Sequence, residues 1–326
     1  MTPLRRDFAA VVAIAAAAAL VGTFTSEGSQ YFIANLLIIG MFAAAFDLAY
    51  GRAGIFSMGH AAFFGSGAYG YALLTLKAGF GFLPALAGAA VFGGMLATIF
   101  GVLAIRASGI YFALSTIAMG QLVAVVIEAK LRFLSGGGDG LPGVPRPMLL
   151  GIDMSATDRY LWLVCLAFTI QLGLLALIRS SPYGLVLSAI RDNPVRAEQL
   201  GYNVSFYRVS AYAISGTASG MAGAYFAALT MFVGPDMLKW MMSGEVLIMT
   251  VLGGPGTLFG PLLGVAAFET ARSVVSRYTD HWFGFVGVLF ILVTLFLPAG
   301  LVGLWPALRS AFFARRNGRS QSAEIK

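Results

Sequence analysis

The stretch that decides the fold is Arg179 to Arg208, RSSPYGLVLSAIRDNPVRAEQLGYNVSFYR, the longest interior segment that is both basic and too polar to sit in lipid. Within it, Asn193 before Pro194 reads as a helix start. The Asn side chain can accept from the free N–H groups of the first turn, and Pro at the first helical position loses no hydrogen bond. Gly201 is the matching stop, in a left-handed C-cap. The helix between them, Pro194 to Leu200, spans about two turns. It carries Arg196 and Glu198 outward, with Val195, Ala197 and Leu200 as an apolar or small-residue fringe. So short a helix is marginal alone in water. It needs a surface to dock against, and its polarity points to another protein rather than lipid.

On either side of this stretch the chain is apolar. Its 326 residues are 59% hydrophobic and only 11% charged, which excludes an ordinary soluble chain. Apolar runs extend over Phe8 to Phe24, Tyr31 to Tyr50, Ile55 to Leu76, Phe80 to Ile105, Gly109 to Ile127 and Tyr160 to Ile178. After the polar stretch come Val209 to Phe232, Val246 to Leu252, Leu258 to Val275 and Phe283 to Leu304. Most approach the ~20 residues needed to span a bilayer as helix. Val246 to Leu252 is too short and is followed by GGPGTLFGP, which predicts a half-helix that re-enters or breaks, its irregular backbone shielded by protein or facing a cavity. The fold class is therefore an all-α polytopic bundle of about nine to ten transmembrane spans with at least one broken helix. Residues 1–308 make a single membrane domain, and 309–326 a basic tail. Phe8 to Phe24 follows Arg5 and Arg6 like a signal peptide, but TFTSEGSQ offers no small-x-small cleavage site, so it reads as an uncleaved first helix.

Six spans before Arg179 place the central loop on the same side as the N-terminus. That side collects 13 of the 21 basic residues against four acids, while the other side is close to neutral. The positive-inside rule then puts both termini and the 179–208 loop in the cytoplasm, and it explains the formal charge of +7 better than nucleic-acid binding does. This topology requires the broken element between Gly244 and Ser276 to return to the outer face. The longest outer connection, 129–159, contains SGGGDGLPGVPRP. It reads as a Gly/Pro-shaped solvated loop, or as a docking surface for an extracytoplasmic partner. With no following Lys-Ser or Lys-Thr it is not a phosphate-binding loop.

Catalytic inventory is thin. His60 and His281 lie in different segments, Cys165 is the lone cysteine and reads as packing, and no metal-ligating or hydrolytic motif occurs. No cofactor and no metal are expected, and ATP would have to be hydrolysed by another polypeptide. Three acids fall at membrane depth, Asp47, Glu245 and Glu269. Such residues face protein or a water-filled path, as structural pairs, interfacial groups or a proton relay. Gly51 to Gly70 is a span of small residues that lets helix backbones approach closely. Ser57 and His60 within it read as interhelical hydrogen-bonding groups or as lining of a polar substrate path, with Tyr69, Tyr111, Thr116 and Glu245 as further path candidates.

Five ordered motifs carry a resemblance. Gly51 to Tyr69 (GRAGIFSMGHAAFFGSGAY) resembles the glycine-rich signature of LivM-type permeases, the membrane subunits of bacterial branched-chain amino acid ABC importers. Arg106 to Thr116 (RASGIYFALST), Ser135 to Pro145 (SGGGDGLPGVP), Ala189 to Tyr207 (AIRDNPVRAEQLGYNVSFY) and Gly253 to Gly264 (GGPGTLFGPLLG) match in the same order. Ile55 stands where a Gln is common, and Pro255 where an aliphatic residue is more usual.

The resemblance implies that the loop after span six is the cytoplasmic ATPase-coupling segment. Ala189, Ile190, Arg191, Asp192 and Asn193 lead into it, Pro194, Ala197, Glu198 and Gly201 form its body and stop, and Asn203 and Tyr207 lead out. It also implies a permease in the bacterial inner membrane that is not itself an enzyme. Its partners would be a homologous LivH-like permease, two ABC ATPase subunits and an extracytoplasmic solute-binding protein. Branched-chain amino acids are the leading substrates, with urea, amides or aromatic acids as alternatives. A stand-alone ion-coupled secondary transporter using Asp47, Glu245 or Glu269 is the alternative of another class.

Overall fold

The computed structural model describes residues 3–107, 109–149, 151–279, 284, 287, 288, 291, 295 and 300–303. Twelve helices are described: α1 (Pro3–Thr23), α2 (Glu27–Asp47), α3 (His60–Leu76), α4 (Phe82–Ala104), α5 (Ile110–Val125), α6 (Arg132–Ser135), α7 (Thr157–Ser180), α8 (Pro182–Asp192), α9 (Pro194–Gln199), α10 (Val204–Thr230), α11 (Trp240–Gly253) and α12 (Gly260–Val275). Among the described residues, four segments are long and apolar enough to cross a membrane: Glu27–Arg52, Phe82–Ala104, Ile110–Lys130 and Thr157–Ser180. The chain is an all-α polytopic membrane protein. Most of the last expected span, Phe283 to Leu304, lies outside the described residues, and His281 and the tail 309–326 lie wholly outside.

Close backbone approach organises the centre. Gly216 and Gly220 of α10 face Gly93 of α4, and Gly67 of α3 faces Gly220; a Cβ at Gly67 or Gly220 would overlap backbone atoms of the neighbouring helix. In lipid no hydrophobic effect drives helices together, so intimate small-residue contacts supply the dispersion that does. Large side chains fill the space to the sides of this seam: Phe42, Phe46, Phe63, Phe64 and Tyr212 are fully buried. Cys165 is also buried, as a free cysteine.

The ends of the bundle can be paired from side-chain contacts. Gly22 faces Leu161 and Gly173 faces Phe8, so α1 and α7 run antiparallel, and the start of α1 lies at the same end as Arg179. At the opposite end lie the short elements of the 129–159 connection. Leu141–Pro142 pairs antiparallel with Phe232–Val233, and Met148–Leu149 forms a hairpin with Ile152–Asp153. Lys77 Nζ donates to the Phe133 carbonyl at 2.8 Å, tying the α3–α4 turn to the same cap.

Two elements differ from the sequence reading. The span expected from Ile55 begins as helix only at His60, and residues 53–59 are unwound. Gly54 is held at φ +69°, and hydroxyl groups replace the missing helical acceptors. The Met58 N–H donates to Thr116 Oγ1 at 3.1 Å, Gly59 N–H to Ser57 Oγ at 3.2 Å and Ala61 N–H to Ser243 Oγ at 2.8 Å. Irregular backbone at membrane depth survives only where protein satisfies it in this way. The expected half-helix Val246 to Leu252 is longer, 14 residues from Trp240 to Gly253. It forms an antiparallel hairpin with α12, since Glu245 lies by Arg272 and Gly253 by Gly264. Both open ends of this re-entrant pair lie at the capped end of the bundle. Its tip, residues 254–259, reaches the other end.

Candidate functional site

The tip of the re-entrant pair is fastened to the bundle by a buried ion-pair node. Asp47, with its side chain fully buried, accepts from Arg179 Nη1 at 2.9 Å and from the Gly256 N–H at 2.7 Å. Arg179 Nη2 also donates to the Gly256 carbonyl. The node thus joins the last residue of α2, the end of α7 and the helix break in one bidentate arrangement. Arg52 adds a bond to the Arg179 carbonyl at 3.0 Å. Glycine is required where these chains converge. A Cβ at Gly51 would overlap Asp47 Oδ1 and the Gly256 nitrogen, and Gly256 itself sits at φ +78°, where L side chains are strained.

The 179–208 segment builds outward from this node as two short helices. Ser181 caps α8 by accepting from the Gly184 N–H, with Pro182 in its first turn. Asn193 caps α9 by accepting from the Arg196 N–H at 2.9 Å. The helix stops in a Schellman arrangement: Gly201, at φ +89°, donates to the Glu198 carbonyl and Tyr202 to the Ala197 carbonyl. Asn203 caps α10 by accepting from the Phe206 N–H. Ile190, Ala197 and Val204 form a small core beneath this turn, with Tyr207 packed against it. The outer surface carries exposed Val195, Leu200, Tyr202 and Phe206 among Arg196, Glu198 and Asp192. Arg191 links the segment inward: its Nη1 donates to the Gly51 carbonyl at 2.5 Å, beside Gly256.

A cavity of about 650 Å³ opens between α2, α11 and α12, in the size range of small-molecule sites. Tyr31, Asn35, Asp236, Lys239, Glu245, Glu269 and Arg272 contribute polar groups, while Ile39, Phe42, Phe226, Val246 and four methionines supply apolar wall. Arg272 lies 3.8 Å from Glu245 and 3.6 Å from Glu269, and Asn35 donates to Glu269 at 3.5 Å.

Of the six path candidates, only Glu245 lines this cavity. Ser57, His60 and Thr116 are fully buried in helix packing. Ser57 hydrogen-bonds Tyr212 at 2.5 Å, and Thr116 holds the unwound turn before α3. His60 Nε2 lies 3.0 Å from Ser215 Oγ, whose own proton goes to the Ala45 carbonyl. His60 is therefore the donor, and its ring is boxed by Phe46, Phe63 and Tyr212. Tyr69 is buried, and Tyr111 is 71% exposed on the outside of α5. Of the three acids at membrane depth, Asp47 is engaged in the node, while Glu245 and Glu269 share Arg272. The sequence reading missed Arg179 as Asp47's partner and Arg272 as part of the cavity. The signal for the first was available: an acid at one span end and a base at another, on the same predicted side.

A polytopic helical bundle with a re-entrant pair, a charged cavity at one end and a capped basic segment at the other has the architecture of a membrane permease. Residues 28–295 match the family described as branched-chain amino acid transport system / permease component, and the chain belongs to that family. It is 25% identical over 300 residues to the high-affinity branched-chain amino acid transport system permease protein LivM of Salmonella typhimurium, covering 85% of this chain and 70% of the relative. LivM of Escherichia coli is 26% identical over 289 residues, with 82% and 67% covered. The autoinducer 2 import system permease protein LsrC of Salmonella paratyphi B is 28% identical over 194 residues, with 56% and 53% covered. No solved structure matches the chain significantly.

Proposed function

We propose that this chain is one of two membrane subunits of an ATP-driven importer of branched-chain amino acids in the bacterial inner membrane. It pairs with a homologous LivH-like permease, receives solute from an extracytoplasmic binding protein and couples to two ABC ATPase subunits. Both termini and the 179–208 segment face the cytoplasm, and residues 1–308 form the permease domain. The observation that carries the reading is α9: a helix too short to stand alone, capped at both ends, with apolar Val195 and Leu200 exposed beside charged neighbours. Such a surface suits a protein cleft. The LivM relatives support the substrate class, and the LsrC relative shows that similar permeases serve other solutes.

ATP binding would close the ATPase pair around α9 and move it as a rigid unit with α8. Arg191 transmits that movement to Gly51 and the neighbouring Gly256 tip, so the re-entrant pair shifts with the coupling segment. The chain breaks no bond in its substrate, and hydrolysis belongs to the ATPase subunits. The test is affinity purification of the tagged chain from its native membrane in mild detergent, beside a variant lacking residues 194–200. A second permease and two ATPases should stay with the parent chain, and the ATPases alone should be lost from the deletion. A chain that purifies alone while retaining leucine uptake driven by the proton gradient would overturn the proposal.

A further inference from the structure

The cavity between α2, α11 and α12 carries its charged groups toward the capped end, while its deeper wall is apolar. Asn35, Glu269 and Arg272 lie toward the capped end, with Glu245 beside Arg272. Phe42 of α2 and Met249 of α11 lie deeper, toward the node at the far end of both helices. From Tyr31 to Phe42 the helical rise is about 17 Å, long enough for a ligand with a charged head and an apolar tail to lie along the axis.

The charge count is uneven. At the mouth Asp236 and Lys239 neutralise one another at 2.6 Å, whereas deeper in, among the described residues that line the cavity, two carboxylates lie by one guanidinium. An extra cationic group is therefore favoured there, and a ligand bearing only a carboxylate is disfavoured. The two Arg272 ion pairs, at 3.8 and 3.6 Å, are longer than the roughly 2.7–2.9 Å of a charge-assisted hydrogen bond. A ligand carrying both charges could exchange into these two pairs, its ammonium between the carboxylates and its carboxylate on the guanidinium. Ionised groups at membrane depth are costly, and they persist where they pair with one another or face a water-filled cavity.

We propose that this cavity is a binding subsite for a zwitterionic α-amino acid with an aliphatic side chain, its ammonium held by Glu245 and Glu269, its carboxylate by Arg272 and its side chain by Phe42, Val246 and Met249. The proposal rests on the importer reading above and assigns that reading a site within this chain. Methionine is unbranched and polarisable, so a wall containing Met249 accommodates side chains of several shapes. Selection here is by the backbone charges of the ligand and by apolarity, more than by the exact branching of its side chain.

The test uses the full chain with whatever subunits co-purify, reconstituted in nanodiscs, and reads ligand contact by saturation-transfer NMR. The probes are L-leucine, its decarboxylated analogue 3-methylbutylamine and its deaminated analogue 4-methylpentanoate. The parent protein should contact them in the order leucine, amine, acid, an ordering that requires no variant to fold. Glu245→Gln with Glu269→Gln should weaken leucine by roughly 10- to 100-fold, the worth of a lost charged hydrogen bond, and remove the preference for amine over acid. Arg272→Gln should erase leucine's advantage over the amine. An acid that contacts the parent as well as the amine does, or leucine contact unchanged in both variants, overturns the site. The subunits present in the same sample test the importer reading separately. Retained ATPases with the wrong ligand order sink the site alone, while the right order without ATPases sinks ATP coupling alone.

Discussion

Asp47→Asn is the most informative perturbation of the fold, because it removes one charge and little volume. The Asn oxygen can still accept from the Gly256 N–H, but Arg179, whose side chain is only 11% exposed, loses its counter-charge. Removing one partner from a buried ion pair costs about 3–5 kcal/mol, which is two to nearly four orders of magnitude in the unfolding equilibrium. Against a total stability of about 5–15 kcal/mol, this is a large fraction. Arg179→Gln should cost a similar amount from the other side. The double variant replaces the ion pair by two amides that can hydrogen-bond each other, so its loss should fall short of the sum of the singles by at least about 1 kcal/mol, a typical coupling for residues in contact. The assay is unfolding in mixed SDS and dodecyl maltoside micelles followed by far-UV circular dichroism, with uptake measured in parallel. Single variants within about 0.5 kcal/mol of the parent, or losses that simply add, would refute the view that this pair fastens the helix break.

The remaining predictions separate local helix chemistry from bundle packing. Asn193→Ala deletes the α9 cap and should cost about 1 kcal/mol of local order, seen as faster amide exchange at Arg196 with global unfolding unchanged. A Cβ at Gly201 would meet nothing within 4 Å, so Gly201→Val acts through its φ of +89° alone; about 1–2 kcal/mol of strain should abolish ATPase stimulation, while Gly201→Asn should retain most of it. Gly220→Val would drive a side chain into the Ala89 carbonyl and Gly93, and should prevent recovery of monodisperse protein, whereas Gly28→Ala, open on all sides, should behave as the parent. Gly256→Ala should lower uptake more than leucine binding, because it strains the tip beside Arg191 and leaves the cavity lining intact.

What the sequence disclosed and what it withheld divide along physical range. The α9 helix was legible because its signals are local: Asn193 reaches three residues forward to cap, and Gly201 closes the turn it follows. The helix break was legible because no aliphatic run can pass through GGPGTLFGP at membrane depth. The start of α3 was not. An apolar run from Ile55 looks helical, and only the hydroxyls of Thr116 and Ser243, contributed by distant helices, explain why residues 53–59 unwind. The same limit hid the cavity. Asn35, Glu245 and Glu269 become neighbours only after α11 and α12 fold back along α2, and nothing in their local spacing announces it. Tyr111 sits in a matching motif, yet projects outward because its position on α5 faces away from the bundle.

The node and the cavity share one mechanical element. α11 supplies Met249 to the cavity and, four residues further on, ends at Gly253, about 6 Å deeper by helical rise. The following turn is the one that Asp47 and Arg179 grip, and that Arg191 approaches from the 179–208 segment. α12 packs along α11 through Gly253, Gly260 and Gly264 with no room for a side chain, so the two helices move as a unit rather than sliding past one another. Close-packed elements of this kind shift between discrete arrangements rather than deform continuously. Under the proposed coupling, a displacement of α8 and α9 would be delivered to the base of the pair that carries Glu245, Glu269 and Arg272, and a ligand held by those groups would resist or favour it from the other end. On that proposal, the movement enters through Arg191 and Arg179 and passes along one hairpin whose two helices are locked by the fit of their glycines.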